Sequence, residues 1–309
     1  MFIPKAGCTS CGRCKLFDPA KSSTFSNRPG TRSGFTYATG VDSTSLPGGS
    51  ESISGNWVTD SVGIGNIVSK NQNFILCPQY PEMMQDVPFD GVIGVGRVNA
   101  TSTPNGQSWY WNLYYTGQLP GPEISFYYPA GKETGAEVTL GGTNPARYTG
   151  PIHFASLEAT SQFVSQLTAV GINGKPYKSN LRSSAIFDTG TPGAAASDST
   201  VSDIYSRISS KITKIPGGGG DWGAPCDVID SIAADISFTV GSGSQSYTVT
   251  LPKSTFNMGP YKGSTTTCQA VFSSINGFGG DYLIGVALLK QYYTVWDGLN
   301  SKLGFAQLA

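Results

Sequence analysis

The stretch AIFDTGTP, Ala185 to Pro192, places an aspartate directly behind three apolar or small residues and ahead of a Thr-Gly-Thr turn. An apolar run that ends in a glycine-containing turn reads as a buried strand delivering its last side chains to a loop. An aspartate in that position has two uses. Its short carboxylate can satisfy the backbone amides of the turn, the commoner fate of such a residue. Alternatively it is half of a carboxylate pair, in which one ionised group takes a proton from water while a protonated one donates to a carbonyl. Two close carboxyls share one proton because both cannot ionise cheaply.

Downstream, DSTVSDIYSRISSKI sets Val201, Ile204, Tyr205, Ile208 and Ile212 at helical spacing, and Thr200 with Asp203 has the form of a capping box. A strand, an aspartate turn and a helix therefore follow in order. KIPGGGGDWGAPC then reads as a flexible surface loop, and DISFTV, QSYTVTL and QYYTVWD as strands. Upstream of the aspartate, SQFVSQLTAVGING reads as a strand, and residues 17 to 150 as short strands and turns. FTYATG and SISGNWVTDSVGIG alternate like hairpin arms around the polar tip VDSTSLPGGSE. QSWYWNLYYTGQL predicts a short helix with a glycine stop, its aromatic residues serving as core.

The composition agrees with an all-β chain: 40 glycines and 19 prolines in 309 residues punctuate it at short intervals. Charged residues make up only 13%, and 20 basic residues balance 20 acidic ones, so there is no electrostatic footprint for nucleic acid or an anionic membrane. No apolar run is long enough to span a bilayer. Six cysteines, an even number, fit an oxidised, extracytoplasmic protein with three disulfides. The sequon at Asn99 adds weakly to that reading. MFIPKAGC lacks the basic start and long apolar run of a leader.

A weak internal repeat completes the pattern. FDGVIGVG (Phe89 to Gly96) and DYLIGVALL (Asp281 to Leu289) share two apolar residues followed by glycine, which admits a close backbone approach. With DTGT at 188–191, these two signals and FTYATG in this order, the chain resembles the pepsin-like aspartic endopeptidases over nearly its whole length. The resemblance implies an all-β, bilobal acid-protease fold with short helices. Its lobes would be residues 1–150 and 151–309, with a peptide or protein substrate in the cleft between them. Asp188 would be the catalytic aspartate of the second lobe, Thr189 the residue that braces the active-site loops, and Tyr37 the flap tyrosine. Thr39, Gly190 and Thr191 would meet substrate, and Cys226 and Cys268 would be bonded. FIPKAGC resembles the segment just after the family's first Asp-Thr-Gly, so the first lobe is expected to be incomplete, truncated before its first strands and first catalytic aspartate. The resemblance further implies a secreted or otherwise extracytoplasmic monomer with no cofactor and no metal.

The chain departs from the family pattern at Pro192 and Gly193, where a Ser or Thr and an apolar residue are usual, and at Val286, which replaces an acidic residue. Other chemistries have thin support. His153 is the lone histidine and lies in PIHF, which reads as a strand, with no Gly-x-Ser-x-Gly signal to serve. Cys8, Cys11, Cys14 and Cys77 have zinc-like spacing, but the extracellular class favours two disulfides among them, in any of three pairings. The expectation is an aspartic endopeptidase by family whose 309 residues, holding one of two catalytic aspartates, are inactive. The alternatives are a catalytically dead pepsin-fold binding or inhibitor protein and, fitting less well, a homodimer pairing one aspartate per chain.

Overall fold

The computed structural model describes residues 1–36, 52–81, 89–97, 108–132, 134–275 and 281–309. The fold is all-β with a few short helices, and it divides into two compact units, Met1–Pro122 and Glu123–Ala309. Residues 123–150, grouped with the first half on sequence, supply strands Glu123–Tyr127 and Glu137–Leu140, of which the former pairs with Tyr292–Asp297 near the C-terminus.

In the first unit four strands form a sheet in the order Phe2–Pro4, Ile67–Cys77, Ser52–Ile64, Ser26–Thr36. The first pair is parallel, the others antiparallel. Because successive side chains leave a strand on opposite faces, NFILC at the end of Ile67–Cys77 feeds two clusters. Phe74 and Leu76 join Val58, Ile3 and Phe17 on one face, and Ile75 and Cys77 join Phe2, Ile53, Trp57 and Tyr80 on the other. Helix Trp109–Tyr115 buries Trp109, Tyr110, Trp111 and Leu113, and the chain turns away at Gly117, whose φ of 73° suits glycine. The two indole N–H groups donate to Val62 O and Gly96 O at 2.9 and 2.7 Å, so each buried ring keeps a partner.

The second unit holds a seven-stranded sheet ordered Gln245–Leu251, Ile236–Ser242, Val164–Ile172, Lys175–Phe187, Tyr282–Ile284, Ala194–Ala196, Phe272–Ser274. A five-stranded sheet runs Glu137–Leu140, Glu123–Tyr127, Tyr292–Asp297, Lys302–Leu308, Tyr148–Ser156. Helix Asp198–Ile208 packs on the first of these sheets through Val201, Ile204 and Tyr205, all fully buried. Tyr205 locks it in place: its hydroxyl donates to Phe272 O at 3.0 Å and accepts from Phe272 N at 2.6 Å. Ser197, not Thr200, caps the helix, its Oγ accepting from Thr200 N. The capping register is set by where strand Ala194–Ala196 ends, three residues earlier than the periodicity alone places it.

Two further expectations need correcting. KIPGGGGDWGAPC is no loose loop. Asp221, 1% exposed, accepts from Ser273 Oγ at 2.6 Å and Gln269 Nε2 at 3.1 Å, and Gly220 O accepts from Ser274 N at 2.8 Å. A Cβ on Gly220 would lie 2.2 Å from Ser274 O, so this glycine serves close packing rather than mobility. The cysteines carry two disulfides, not three: Cys226–Cys268 and Cys8–Cys11 are bonded, while Cys14 and Cys77 are free thiols.

Candidate active site

Asp188 owes its position to a strand crossing. Lys175–Phe187 ends just before it, and Ala194–Ala196 begins just after the loop 188–193. Between these two strands runs Tyr282–Ile284, parallel to the first, with Leu283 opposite Ile186, and antiparallel to the second, with Leu283 opposite Ala195. The loop must therefore pass over the end of the middle strand, where Gly285 sits. A Cβ on Gly285 would lie 1.9 Å from Thr191 O and 2.5 Å from Gly193 O. Only glycine lets the two backbones approach so closely.

The crossing is fastened by main-chain hydrogen bonds. Gly285 N, Val286 N and Ala287 N, at the start of the one-turn helix Val286–Leu289, donate to Gly193 O, Thr191 O and Pro192 O at 2.9, 2.7 and 2.9 Å. Three donors that a helix start leaves unpaired are thus satisfied by consecutive carbonyls of the aspartate loop. Asp188 N in turn donates to Ile284 O at 3.0 Å. Farther back, Ser184 and Asp281 clamp the same strand pair reciprocally, Ser184 N donating to Asp281 Oδ2 at 2.8 Å and Asp281 N to Ser184 Oγ at 3.3 Å. This clamp joins positions 97 apart, so nothing local in the sequence marks it.

These bonds explain the two departures in the loop. Only the carbonyl of residue 192 is used, so proline, which lacks an N–H, fits there. Gly193 is required by its surroundings, because a Cβ would lie 2.4 Å from Val271 O, which also accepts from Ala194 N at 2.9 Å. At position 286 the backbone N–H is the group that holds the loop, a role independent of the valine side chain.

The Asp188 carboxylate is half-buried and held at both oxygens: Gly190 N donates to Oδ1 at 2.9 Å and Thr191 Oγ1 to Oδ2 at 2.7 Å. Donors on both sides fix the plane of the carboxylate and present it in one orientation. Thr191 is 3% exposed, which places it beneath the aspartate, whereas Gly190 is exposed beside it. Thr189 is half-buried. Tyr37 and Thr39 lie outside the described residues; the arms that lead to them, Ser26–Thr36 and Ser52–Ile64, are paired antiparallel.

The other candidate chemistries are not assembled around Asp188. His153 lies on Tyr148–Ser156 in the five-stranded sheet, stacked on the Tyr247 ring at 4.5 Å with an interplanar angle of 5°. Among the described residues no group of three or more His, Cys, Asp or Glu side chains is arranged to hold a metal ion. None of the described helices is long and apolar enough to cross a membrane.

The crossing loop, its glycine partner and the doubly held aspartate define an aspartic-protease fold. Comparison with known proteins agrees: the chain belongs to the eukaryotic aspartyl protease family, whose model matches residues 1–308. It is 28% identical to pepsin A-5 of Mus musculus, with 100% of this chain and 75% of that protein covered. It is 27% identical to pepsin A of Sus scrofa over the same shares, 100% and 75%. An aspartic protease of Phaffia rhodozyma is 27% identical, with 99% of this chain and 70% of that protein covered.

Proposed function

We propose that Asp188 is one carboxylate of an aspartic-endopeptidase pair, acting on peptide or protein substrates through a carboxylate-activated water. The observation that carries this reading is the orientation of Asp188 by Gly190 N and Thr191 Oγ1 on a loop anchored across Gly285. In such a pair one carboxylate draws a proton from water as it attacks the scissile carbonyl, and the protonated partner donates to the carbonyl oxygen. Thr191 acts through Asp188, while Gly190 lies beside the carboxylate where a substrate backbone would pass. Thr189 braces the loop, and Tyr37, as flap tyrosine, and Thr39 bind substrate. The protein works as an extracytoplasmic monomer, in keeping with its disulfides.

The 309 residues contain no second Asp-Thr-Gly or Asp-Ser-Gly. Without a second carboxylate the two proton transfers cannot be divided, and general acid–base help is worth roughly 100- to 10,000-fold. The 309-residue chain is therefore expected to hydrolyse peptides negligibly, and a chain extended upstream to carry an Asp-Thr-Gly is expected to cleave unfolded proteins at acidic pH. Asp188→Asn should abolish that cleavage. Robust acid proteolysis by the 309-residue chain, its mass confirmed, would overturn the inactivity, and activity surviving Asp188→Asn would overturn the role of Asp188. The single Asp-Thr-Gly also favours a second reading, a pepsin-fold binding or inhibitor protein. Stoichiometric capture of a protein partner without cleavage, in the extended chain as well, would decide for it.

A further inference from the structure

The cysteines of the first unit are arranged around a bond that joins unlike partners. Cys11 and Cys77, 2% and 0% exposed, belong to one apolar cluster with Phe2, Ile75 and Tyr80, while Cys8 and Cys14 pack against its rim, partly exposed. The bond present, Cys8–Cys11, links a rim sulfur to a buried one and leaves one thiol of each kind, Cys14 and Cys77. The backbone draws the two buried positions together. Lys5 N donates to Cys77 O at 2.8 Å. Ser10, next to Cys11, exchanges hydrogen bonds with the main chain of Tyr80, its Oγ donating to Tyr80 O and accepting from Tyr80 N, each at 3.1 Å. On the rim, a turn closed by Cys14 N donating to Cys11 O at 3.0 Å folds Cys14 back toward the existing bond.

We propose that this cluster is a redox-convertible site whose fully oxidised form carries Cys11–Cys77 and Cys8–Cys14 in place of Cys8–Cys11. The oxidant is a low-molecular-weight disulfide, RSSR. Cys14 thiolate attacks RSSR, forming a mixed disulfide and releasing one RS⁻. Cys77 thiolate attacks Cys11 Sγ, breaking Cys8–Cys11 and freeing the Cys8 thiolate. Cys8 then attacks Cys14 Sγ and expels the second RS⁻. The protein gains one disulfide, RSSR loses one, and the protons of Cys14 and Cys77 pass to the two RS⁻. Burial pushes the Cys77 thiol up to about 12 and raises Cys14 as well, so the conversion is slow at neutral pH and accelerates as pH rises. The product ties the loop to the end of strand Ile67–Cys77 across 66 positions (77 minus 11), whereas Cys8–Cys11 spans only 3.

The test uses the 309-residue protein purified without reductant, treated with oxidised glutathione at pH 8, then unfolded in urea and alkylated. Free thiols should fall from two per chain to none, with cleavage of residues 1–122 by added protease slowing about tenfold as the longer loop is closed. Disulfide mapping with fragmentation between Cys8 and Cys11 should give Cys11–Cys77 and Cys8–Cys14. In the Cys8→Ser/Cys14→Ser variant, Cys11 and Cys77 should still bond. Two thiols persisting in the treated wild type would overturn the proposal, as would Cys14–Cys77 forming beside an intact Cys8–Cys11, or the pairing Cys8–Cys77 with Cys11–Cys14. The wild-type map decides the matter even where the double variant fails to fold.

Discussion

The two units build the same three-strand arrangement from different residues. In the first, Phe2 lies parallel to Ile75 and bridges Val92 antiparallel; in the second, Ala195 lies parallel to Ser273 and antiparallel to Leu283. Val92 and Leu283 occupy corresponding places in the two apolar-apolar-glycine signals, so the weak sequence repeat is a repeat of pairing. The glycines that follow are unlike. A Cβ on Gly285 would strike Thr191 O, whereas one on Gly94 would meet nothing within 4 Å among the described residues. Within FDGVIGVG the tight position is instead Gly91, whose Cβ would lie 2.5 Å from Phe2 O. What makes the glycine obligatory is the aspartate loop that crosses it, rather than the motif.

That contrast is most easily broken at the two glycines. Gly285→Ala forces backbone against backbone and should cost the second unit on the order of 5 kcal/mol, enough to unfold it in a marginally stable protein. Gly94→Ala should change stability by under about 1 kcal/mol, with either sign, because among the described residues the added methyl meets nothing within 4 Å. Gly193→Ala should fall nearer the first, given Val271 O at 2.4 Å. Urea midpoints read from tryptophan fluorescence check all three, and equal shifts for Gly94→Ala and Gly285→Ala would remove the crossing loop as the explanation.

The disulfides sharpen the comparison next. Cys226–Cys268 spans 42 positions and stabilises by up to about 4 kcal/mol in a chain-entropy account, whereas Cys8–Cys11, spanning 3, contributes under half of that. Limited proteolysis should accordingly cut within residues 1–122 before 123–309. Cys226→Ser/Cys268→Ser should reverse or level that order, and an unchanged order in the variant would show that the cross-link is not what protects the second unit.

The sequence was legible where periodicity and local chemistry coincide. Val201, Ile204 and Tyr205 sit at helical spacing and are the buried face, and Ala185 to Asp188 is a strand running into the aspartate turn. It was illegible where partners come from far along the chain. Nothing in GGGGDW announces that Asp221 will be buried by Ser273 and Gln269, so glycine richness read as looseness. Thr-Gly-Thr leaves Thr191 open between structural turn residue and substrate contact, because it does not say which hydroxyl turns inward; in the structure the Thr191 hydroxyl donates to Asp188 Oδ2. Its removal gives a moderate effect. Thr191→Val deletes the donor to Asp188 Oδ2 while keeping the volume and should cost about 1–3 kcal/mol. Glycine at 191 would confound packing with bonding, so valine is the informative replacement, and an unchanged urea midpoint would show that the hydroxyl does not support the loop.

The smallest effect concerns acid, and it also belongs to the second unit. Asp203 accepts from Tyr177 Oη and pairs with Arg207 Nε at 3.2 Å and Lys178 Nζ at 3.8 Å, and the tyrosine bond, then the cations, hold its carboxyl below the usual range. Asp198 is lowered chiefly by Lys214 at 2.6 Å, and Glu137 by Asn144 and then Arg147. A carboxylate whose folded pKa is depressed contributes stability that is fully present above its unfolded value, about 4, and is lost as pH falls through the folded value. The Asp203 side chain is 38% exposed, so solvent screens the pair and the contribution is about 0.5 kcal/mol. Asp203→Asn should therefore lower the stability of residues 123–309 by about that much at pH 6, with the difference from wild type shrinking as pH falls below about 4 toward pH 2. Stability curves at the two pH values check the sign: a difference that widened toward pH 2 would mean that Asp203 is held in its protonated form by the fold, contrary to the cations and the phenol that surround it.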